Sequence, residues 1–308
     1  MSEPKKQHYV PQTYLKNFAT GKKNNSLYVL SASPRKIYSS QVEDTAAERN
    51  FYTVEKLKNK YIWENTYAQH IEPSFGTLLK QIRKYCENAL VQNNFTVISQ
   101  GQKELLSINI VIQMLRGKQA RKYQRKLYDK SLPPAFLDAQ THYQNLEEID
   151  IERTFEKFNN DDNYFKDIAM QTVFNKDTII KISNVLFRYS FIFFRTKGLI
   201  PFVTSDNPVM FINSITQNAT PFANGLNKNT TIVYFPISPC LLLSAFHPDF
   251  GFGNLNCQDC TLEILDDYKE KKFINTYNKK QFEQCYNYIY SNSKKTLQNL
   301  FCKVNEVR

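Results

Sequence analysis

The segment from Gly101 to Lys130 constrains the fold of this chain most, because one helical period runs through two chemically different halves. Leu105, Ile108, Ile112, Leu115 and Gln119 recur at three- and four-residue spacing, the mark of a helix with one face on a core. The second half, RGKQARKYQRKLYDK from Arg116 to Lys130, holds seven basic residues and one acid among fifteen. The first half is therefore a core element, and the second is a candidate anion-binding surface or a solvated face.

A chain of 308 residues can bury roughly 75% of its unfolded surface, so a large core needs no staples. Only 8 glycines are present, and no Walker loop, G-x-G-x-x-G run or nucleophile elbow occurs, which argues against a dinucleotide fold or a repeat array. The start, MSEPKKQHYV, lacks the apolar stretch of a signal peptide. Pro236 and Pro239 break the longest apolar run, TIVYFPISPCLLLSAF, so no membrane span is expected and the localisation reads as cytoplasmic. The six cysteines are expected to be reduced there. Cys257 and Cys260 have metal-ligand spacing but no second pair, and read as two ordinary thiols. A net charge of +11 points to a polyanionic partner, RNA or DNA, or else to compositional drift towards Lys.

Along the chain, Pro11 pushes Val10 towards an extended form, so His8 and Tyr9 ride on a strand-like arm. Tyr14, Leu15 and Phe18 then dock a short helix. Residues 27–30 and 36–39 read as strands around a turn at Ser33-Pro34. Trp63 to Ala89 reads as helix, kinked or divided at Pro73. Ile179 to Thr196 reads as a buried helix. Residues 199–204 and 209–212 read as two strands joined by a Ser205-Asp206-Asn207-Pro208 turn, followed by strands at 231–235 and 240–245. Asn275 to Ile289 reads as a last helix. The expected fold class is α+β, a mostly helical body with a small antiparallel sheet, in a single compact domain over 1–308 with a peripheral insertion near 131–163.

Several of these segments together resemble a family of bacterial proteins, domain of unknown function 4238. The residues that carry the likeness include His8-Tyr9-Val10-Pro11-Gln12, Asn50-Phe51-Tyr52, Glu64 and Glu72. Gln113, Arg116 and Arg121 belong to it too, as do Pro201 to Val209 with the Thr-Ser-Asp-Asn-Pro motif and Phe235 to Pro239. The resemblance covers nearly the whole chain and implies a fold and a position for a site, without an established chemistry. Pro73 departs from the uninterrupted helix expected after Glu72.

Gathered together, His8, Glu64, Glu72, Arg116 and Asp206 would make an acid-base cluster, with Gln12 and Gln113 beside it. Glu64, Glu72 and Asp206 could hold Mg²⁺ or Mn²⁺ that activates water for phosphodiester cleavage. Otherwise His8 could exchange protons with a 2′-hydroxyl while Arg116 holds the charge on phosphate. A structural ion-pair network would use the same residues. On a regular helix Glu64 and Glu72, eight residues apart, would point about 80° from each other.

Lys118, Arg121, Lys122 and Arg125 supply cations along the basic helix, with Tyr123 and Tyr128 interleaved for base stacking. The first expectation is therefore a hydrolase: a nuclease acting on RNA, of the kind bacteria deploy in phage defence or as toxins. The alternatives are a module that binds RNA or a nucleotide signal without chemistry, and a protein-interaction component that could form an oligomer.

Overall fold

The structure, a computed structural model, describes residues 6–21, 25–88, 95–142, 153, 156–157, 160–198, 200–219, 224–251, 258–265 and 267–305, with backbone alone for 132–142, 162 and 267–269. The expected peripheral insertion near 131–163 lies largely outside the described residues, as does Cys257.

The amino-terminal arm is ordered by pairing. Strand β1 (Lys6–His8) runs antiparallel to β4 (Ala47–Arg49), and Pro11 starts the short helix α1 (Gln12–Leu15). Between them, β2 (Ser26–Ala32) and β3 (Arg35–Gln41) form the expected hairpin around Ser33-Pro34. Helix α2 (Ile62–Thr66) passes through a π turn at Tyr67–Ile71 into α3 (Glu72–Asn88). The two-residue strand β5 (Phe95–Thr96) follows. The long periodic segment is divided at Gly117 into α4 (Gln100–Arg116) and α5 (Lys118–His142). A capping box starts α4: the Ser99 hydroxyl accepts from the Gln102 N–H, and the Gln102 side chain accepts from the Ser99 N–H.

Helices α6 (Asp162–Val173) and α7 (Lys176–Phe187) are capped by the Asp161 and Asn175 side chains. Here the structure corrects the expected helix over Ile179 to Thr196. The helix ends at Phe187, and Ser190–Arg195 is strand β6. Its Phe191-Ile192-Phe193 run is buried with a strand on either side, and a short continuous apolar run of that kind fits a central strand as well as a buried helix. Strands β7 (Thr204–Ser205), β8 (Met210–Asn213), β9 (Thr231–Ser238), β10 (Leu241–Phe246) and β11 (Thr261–Ile264) follow. Helix α8 (Asp267–Gln284) ends earlier than expected and gives way to β12 (Tyr288–Ser291) and α9 (Lys294–Asn305).

The fold class is α+β, but the expected single small antiparallel sheet is replaced by three. Besides the β1–β4 pair there is a four-stranded sheet, order β3-β2-β12-β7, and a six-stranded sheet, order β5-β11-β6-β10-β9-β8. The larger is mixed, because β11 runs parallel to β6. The Ser-Asp-Asn-Pro turn therefore does not close a hairpin: β7 pairs with β12 and β8 with β9, so the turn carries the chain from one sheet to the other. These pairings join segments far apart in sequence, so local patterning could not reveal them.

One core binds the sheets to the helices, drawing on Tyr14, Phe18, Phe75, Leu79, Ile110 and Phe235 among others. Tyr14, 0% exposed, crosses the seam between sheets. Its hydroxyl is 2.7 Å from Thr204 Oγ1 on β7 and donates to the Pro236 carbonyl on β9 at 2.8 Å. Pro236 sits where the β9–β10 register shifts, the kind of position a sheet allows proline. Tyr14→Phe leaves both partners buried without the hydroxyl, and we expect a loss of about 1–3 kcal/mol by urea denaturation. An unchanged midpoint would contradict this role.

Candidate functional site

Pro73 has no N–H, and in a regular helix its ring would meet the carbonyl four residues back. The π turn at Tyr67–Ile71, immediately before it, accommodates this and inserts one residue into the helix. The eight steps from Glu64 to Glu72 then count angularly as seven. Seven α-helical steps end about 20° short of two turns, so the carboxylates share a face instead of standing about 80° apart.

That face meets Arg116, at the end of α4, whose side chain is 2% exposed. Its Nη2 donates to Glu72 Oε1 at 3.0 Å and to the His8 carbonyl at 2.5 Å. Its Nε donates to the Tyr52 hydroxyl at 3.2 Å, and its guanidinium carbon lies 3.9 Å from the centre of the Tyr67 ring. Glu64 stands at the edge of this group. Burial pushes its carboxyl from the ordinary 4.5 up to about 7, with Arg116 pulling it down and Glu72 pushing it further up. Its Oε2 is buried and has no hydrogen-bond partner among the described residues.

The structure brings Glu64, Glu72 and Arg116 together, and places His8 and Asp206 in other roles. His8 Nε2 faces the Glu43 carbonyl at 3.2 Å and Nδ1 faces the Gln12 amide at 3.4 Å, a pairing that suits the Nε2–H tautomer. Burial lowers its pKa below the usual 6.5, so the ring is neutral at pH 7, and it is its backbone carbonyl that Arg116 uses. Gln113 donates to the Tyr9 carbonyl at 3.2 Å, another tie to the arm.

Asp206 is fully buried. Oδ1 accepts from the Tyr286 N–H at 2.8 Å, and Oδ2 accepts from Asn287 at 2.7 Å and Tyr288 at 3.0 Å. Burial pushes this carboxyl up to about 7, against the three N–H donors and Lys118, which favour the charged form. It fixes the turn into β12. Among the described residues no group of three or more His, Cys, Asp or Glu side chains is placed to hold a metal. The expected Mg²⁺ or Mn²⁺ set is not assembled: Asp206 is engaged by backbone, and Glu72 by Arg116.

The basic helix opens a second place for chemistry. Its residues Lys118, Arg121, Lys122 and Arg125 line a cleft of about 460 Å³, joined by Lys166 from α6. Glu48 is the one carboxylate among the described residues of its wall, and it pairs with Lys118. Three rings complete it. The Arg121 guanidinium lies 3.7 Å from the Phe51 ring centre, Arg125 lies 5.1 Å from Phe165, and Lys122 lies 5.7 Å from Tyr286. Arg121 is tied down by donating to the Phe51 carbonyl at 2.8 Å, and Arg125 pairs with Asp129 at 3.1 Å. Lys122 and Lys166 have no ion pair among the described residues, so their charges are available to an anion.

The aromatic members differ from those expected. Tyr128 packs edge-on against Phe165, and Tyr123 turns to a separate, mostly apolar pocket of about 320 Å³ with Met114, Ile182 and Phe211. The cleft takes its rings from Phe51, Phe165 and the half-exposed Tyr286 instead, residues from three distant segments. Phe51 is visible in the sequence as part of an aromatic pair, whereas nothing local marks Lys166 or Tyr286. The cleft and the buried cluster are neighbours: the Tyr52 ring centre is 5.8 Å from the guanidinium carbons of both Arg116 and Arg121.

Removing one partner of a buried ion pair is costly because the other is left uncompensated. Arg116→Met should lose about 3–5 kcal/mol in urea denaturation, and Arg116→Met with Glu72→Met should recover part of that. A single variant within about 1 kcal/mol of the parent, nearer the usual scatter of surface changes, would refute the hub role.

No helix among the described residues is long and apolar enough to cross a membrane. Neither the curated proteins nor the solved structures contain a match to this chain. A family model, Protein of unknown function (DUF4238), matches residues 6–295. That span takes in the arm, the Arg116 cluster, the cleft and the Asp206 turn, and the chain therefore belongs to the DUF4238 family.

Proposed function

We propose that this protein binds nucleic acid, RNA by preference, through the cleft on α5 and α6. The observation that carries the reading is the wall itself: among its described residues, five cations stand against one carboxylate, with three aromatic rings between them. Cations neutralise phosphates irrespective of sequence, and an exposed ring such as Tyr286 gives an unpaired base a face to stack on. A ring exposed on the wall favours a single strand over a duplex, whose bases are already stacked on one another.

Fluorescence anisotropy with a labelled single-stranded RNA at several salt concentrations tests this. Affinity should fall steeply with salt, and Lys122→Glu with Lys166→Glu should weaken binding at least tenfold. The log-log salt slope should become shallower by roughly 0.7 for each phosphate that the variant no longer neutralises. Binding that ignores salt, or a double variant that binds like the parent, would remove the support.

A second reading, hydrolysis of the bound strand, rests on Glu64. A carboxyl raised to about 7, with an unpaired oxygen beside Arg116, suits a general base near neutrality. A base must be deprotonated to act, so cleavage should rise with pH up to about 7 and level off above it. Glu64→Gln should abolish it, with or without Mg²⁺ or Mn²⁺. Cleavage by parent and variant alike at the background level would leave binding as the whole function.

A further inference from the structure

Beside the cationic cleft, between the amino-terminal arm and one face of the four-stranded sheet, lies a pocket of about 260 Å³. The strand registers build its floor. Tyr290 pairs with Val29 and Val29 with Tyr38, so these three stand in a row across the sheet on one face. Tyr288, two residues before Tyr290, points to the same face. Tyr9 of the arm forms the opposite wall, with Asp44 to Glu48.

The pocket and the cleft are joined. Glu48 and Lys118 line both, and the Lys118 ammonium lies 5.0 Å from the Tyr9 ring centre and 6.0 Å from that of Tyr286. Asp206 holds the backbone of residues 286 to 288, which directs Tyr286 to the cleft and Tyr288 to the pocket.

Their chemistry differs. The cleft is cationic, whereas the pocket carries phenols, the hydroxyls of Ser40 and Thr45, and the carboxylates of Asp44 and Glu48, which pair with Lys6 and Lys118; Lys118 is the only cation among its described wall residues. Tyr290 is 1% exposed, and its hydroxyl has no hydrogen-bond partner among the described residues. The Tyr9 phenol is a poorly aligned hydrogen-bond neighbour: the contact lowers the Tyr9 pKa against the effect of burial but falls outside strict hydrogen-bond geometry. Burial raises both phenols well above the ordinary 10, so both stay protonated and can donate as well as accept. A buried hydroxyl with no well-formed hydrogen bond calls for an explanation, and a polar ligand group is one. At about 260 Å³ the pocket is smaller than the roughly 300–1,000 Å³ that encloses a whole drug-sized ligand, so it reads as a subsite of its neighbour.

We propose that the cleft and the tyrosine pocket form one bipartite site for a nucleoside phosphate, with phosphates on Lys122 and Lys166 and the neutral nucleoside against Tyr9, Tyr38 and Tyr290. This rests on the phosphate-binding reading of the cleft and adds what lies beyond the phosphates. A free nucleotide and the phosphorylated 5′ end of an RNA present the same chemistry.

Calorimetric titration of the full chain with the four ribonucleoside triphosphates and with inorganic triphosphate separates the two halves of the site. At least one nucleotide should bind tenfold or more tightly than inorganic triphosphate. Tyr290→Phe, which keeps the ring and removes the hydroxyl, should erase most of that preference and leave triphosphate affinity unchanged. Lys122→Glu should weaken both. Single-stranded RNA with a 5′-triphosphate should outbind the same RNA with a 5′-hydroxyl if the natural source is an RNA end, and match it if the source is a free nucleotide. The proposal is overturned if no nucleotide exceeds inorganic triphosphate, or if Tyr290→Phe retains the preference. Loss of nucleotide and triphosphate binding together, with salt-dependent RNA binding intact, overturns the bipartite site alone; loss of RNA binding as well overturns the cleft.

Discussion

The buried guanidinium of Arg116 is the interaction on which the rest of this architecture depends. An arginine cannot discard its charge, so burying it obliges the surroundings to supply acceptors on every side. The His8 carbonyl, the Tyr52 hydroxyl and the Glu72 carboxylate do so, and the Tyr67 ring covers its face. These come from the arm, the loop after β4, α3 and the π turn. One charge thus ties together four segments that also meet in the apolar core, through Tyr9, Tyr52, Tyr67 and Phe75. Such a group need not add net stability compared with an apolar replacement, but it accepts only one arrangement of its neighbours.

That arrangement sets up what lies outside it. With its backbone held by Arg116 and Gln113, the arm lies along β4 and becomes a wall of the tyrosine pocket. Gly117 ends the buried helix next to Arg116, and the chain resumes as a helix whose cations face solvent and the cleft. Core and surface chemistry are adjacent because they lie on consecutive helices. From the other side, Asp206 accepts three backbone N–H groups at the head of β12 and so aims Tyr286 and Tyr288. The two specific motifs of the sequence, at the arm and at the Ser-Asp-Asn-Pro turn, therefore serve opposite walls of the same region.

Much of this is legible in the sequence where the signal is local. The α4 period, the Ser33-Pro34 hairpin, the β9–β10 pair and the basic run on α5 follow from spacing and turn chemistry. Of the five residues of the expected cluster, Glu72 pairs with Arg116 and Glu64 stands near them, but the expected angle between the two carboxylates is wrong, since a π turn leaves no mark except the proline that follows it. His8 and Asp206 stand out as polar residues that packing does not explain, and the explanation is backbone: a carbonyl for Arg116 in one case, three N–H groups in the other. The Phe191-Ile192-Phe193 run misleads because an element buried on all sides shows no period.

The sequence by itself determined the local elements with a clear period or turn, the excess of positive charge and its concentration on one helix. Each depends on residues within a few positions of one another, where propensity and periodicity act. The tertiary structure alone decided that the chain builds three sheets, that a buried carboxyl at residue 64 stands beside Arg116, and that rings from residues 51, 165 and 286 close on the basic helix. Strand pairing, desolvation and pocket shape arise where segments far apart in the chain meet, and no local pattern encodes their distance.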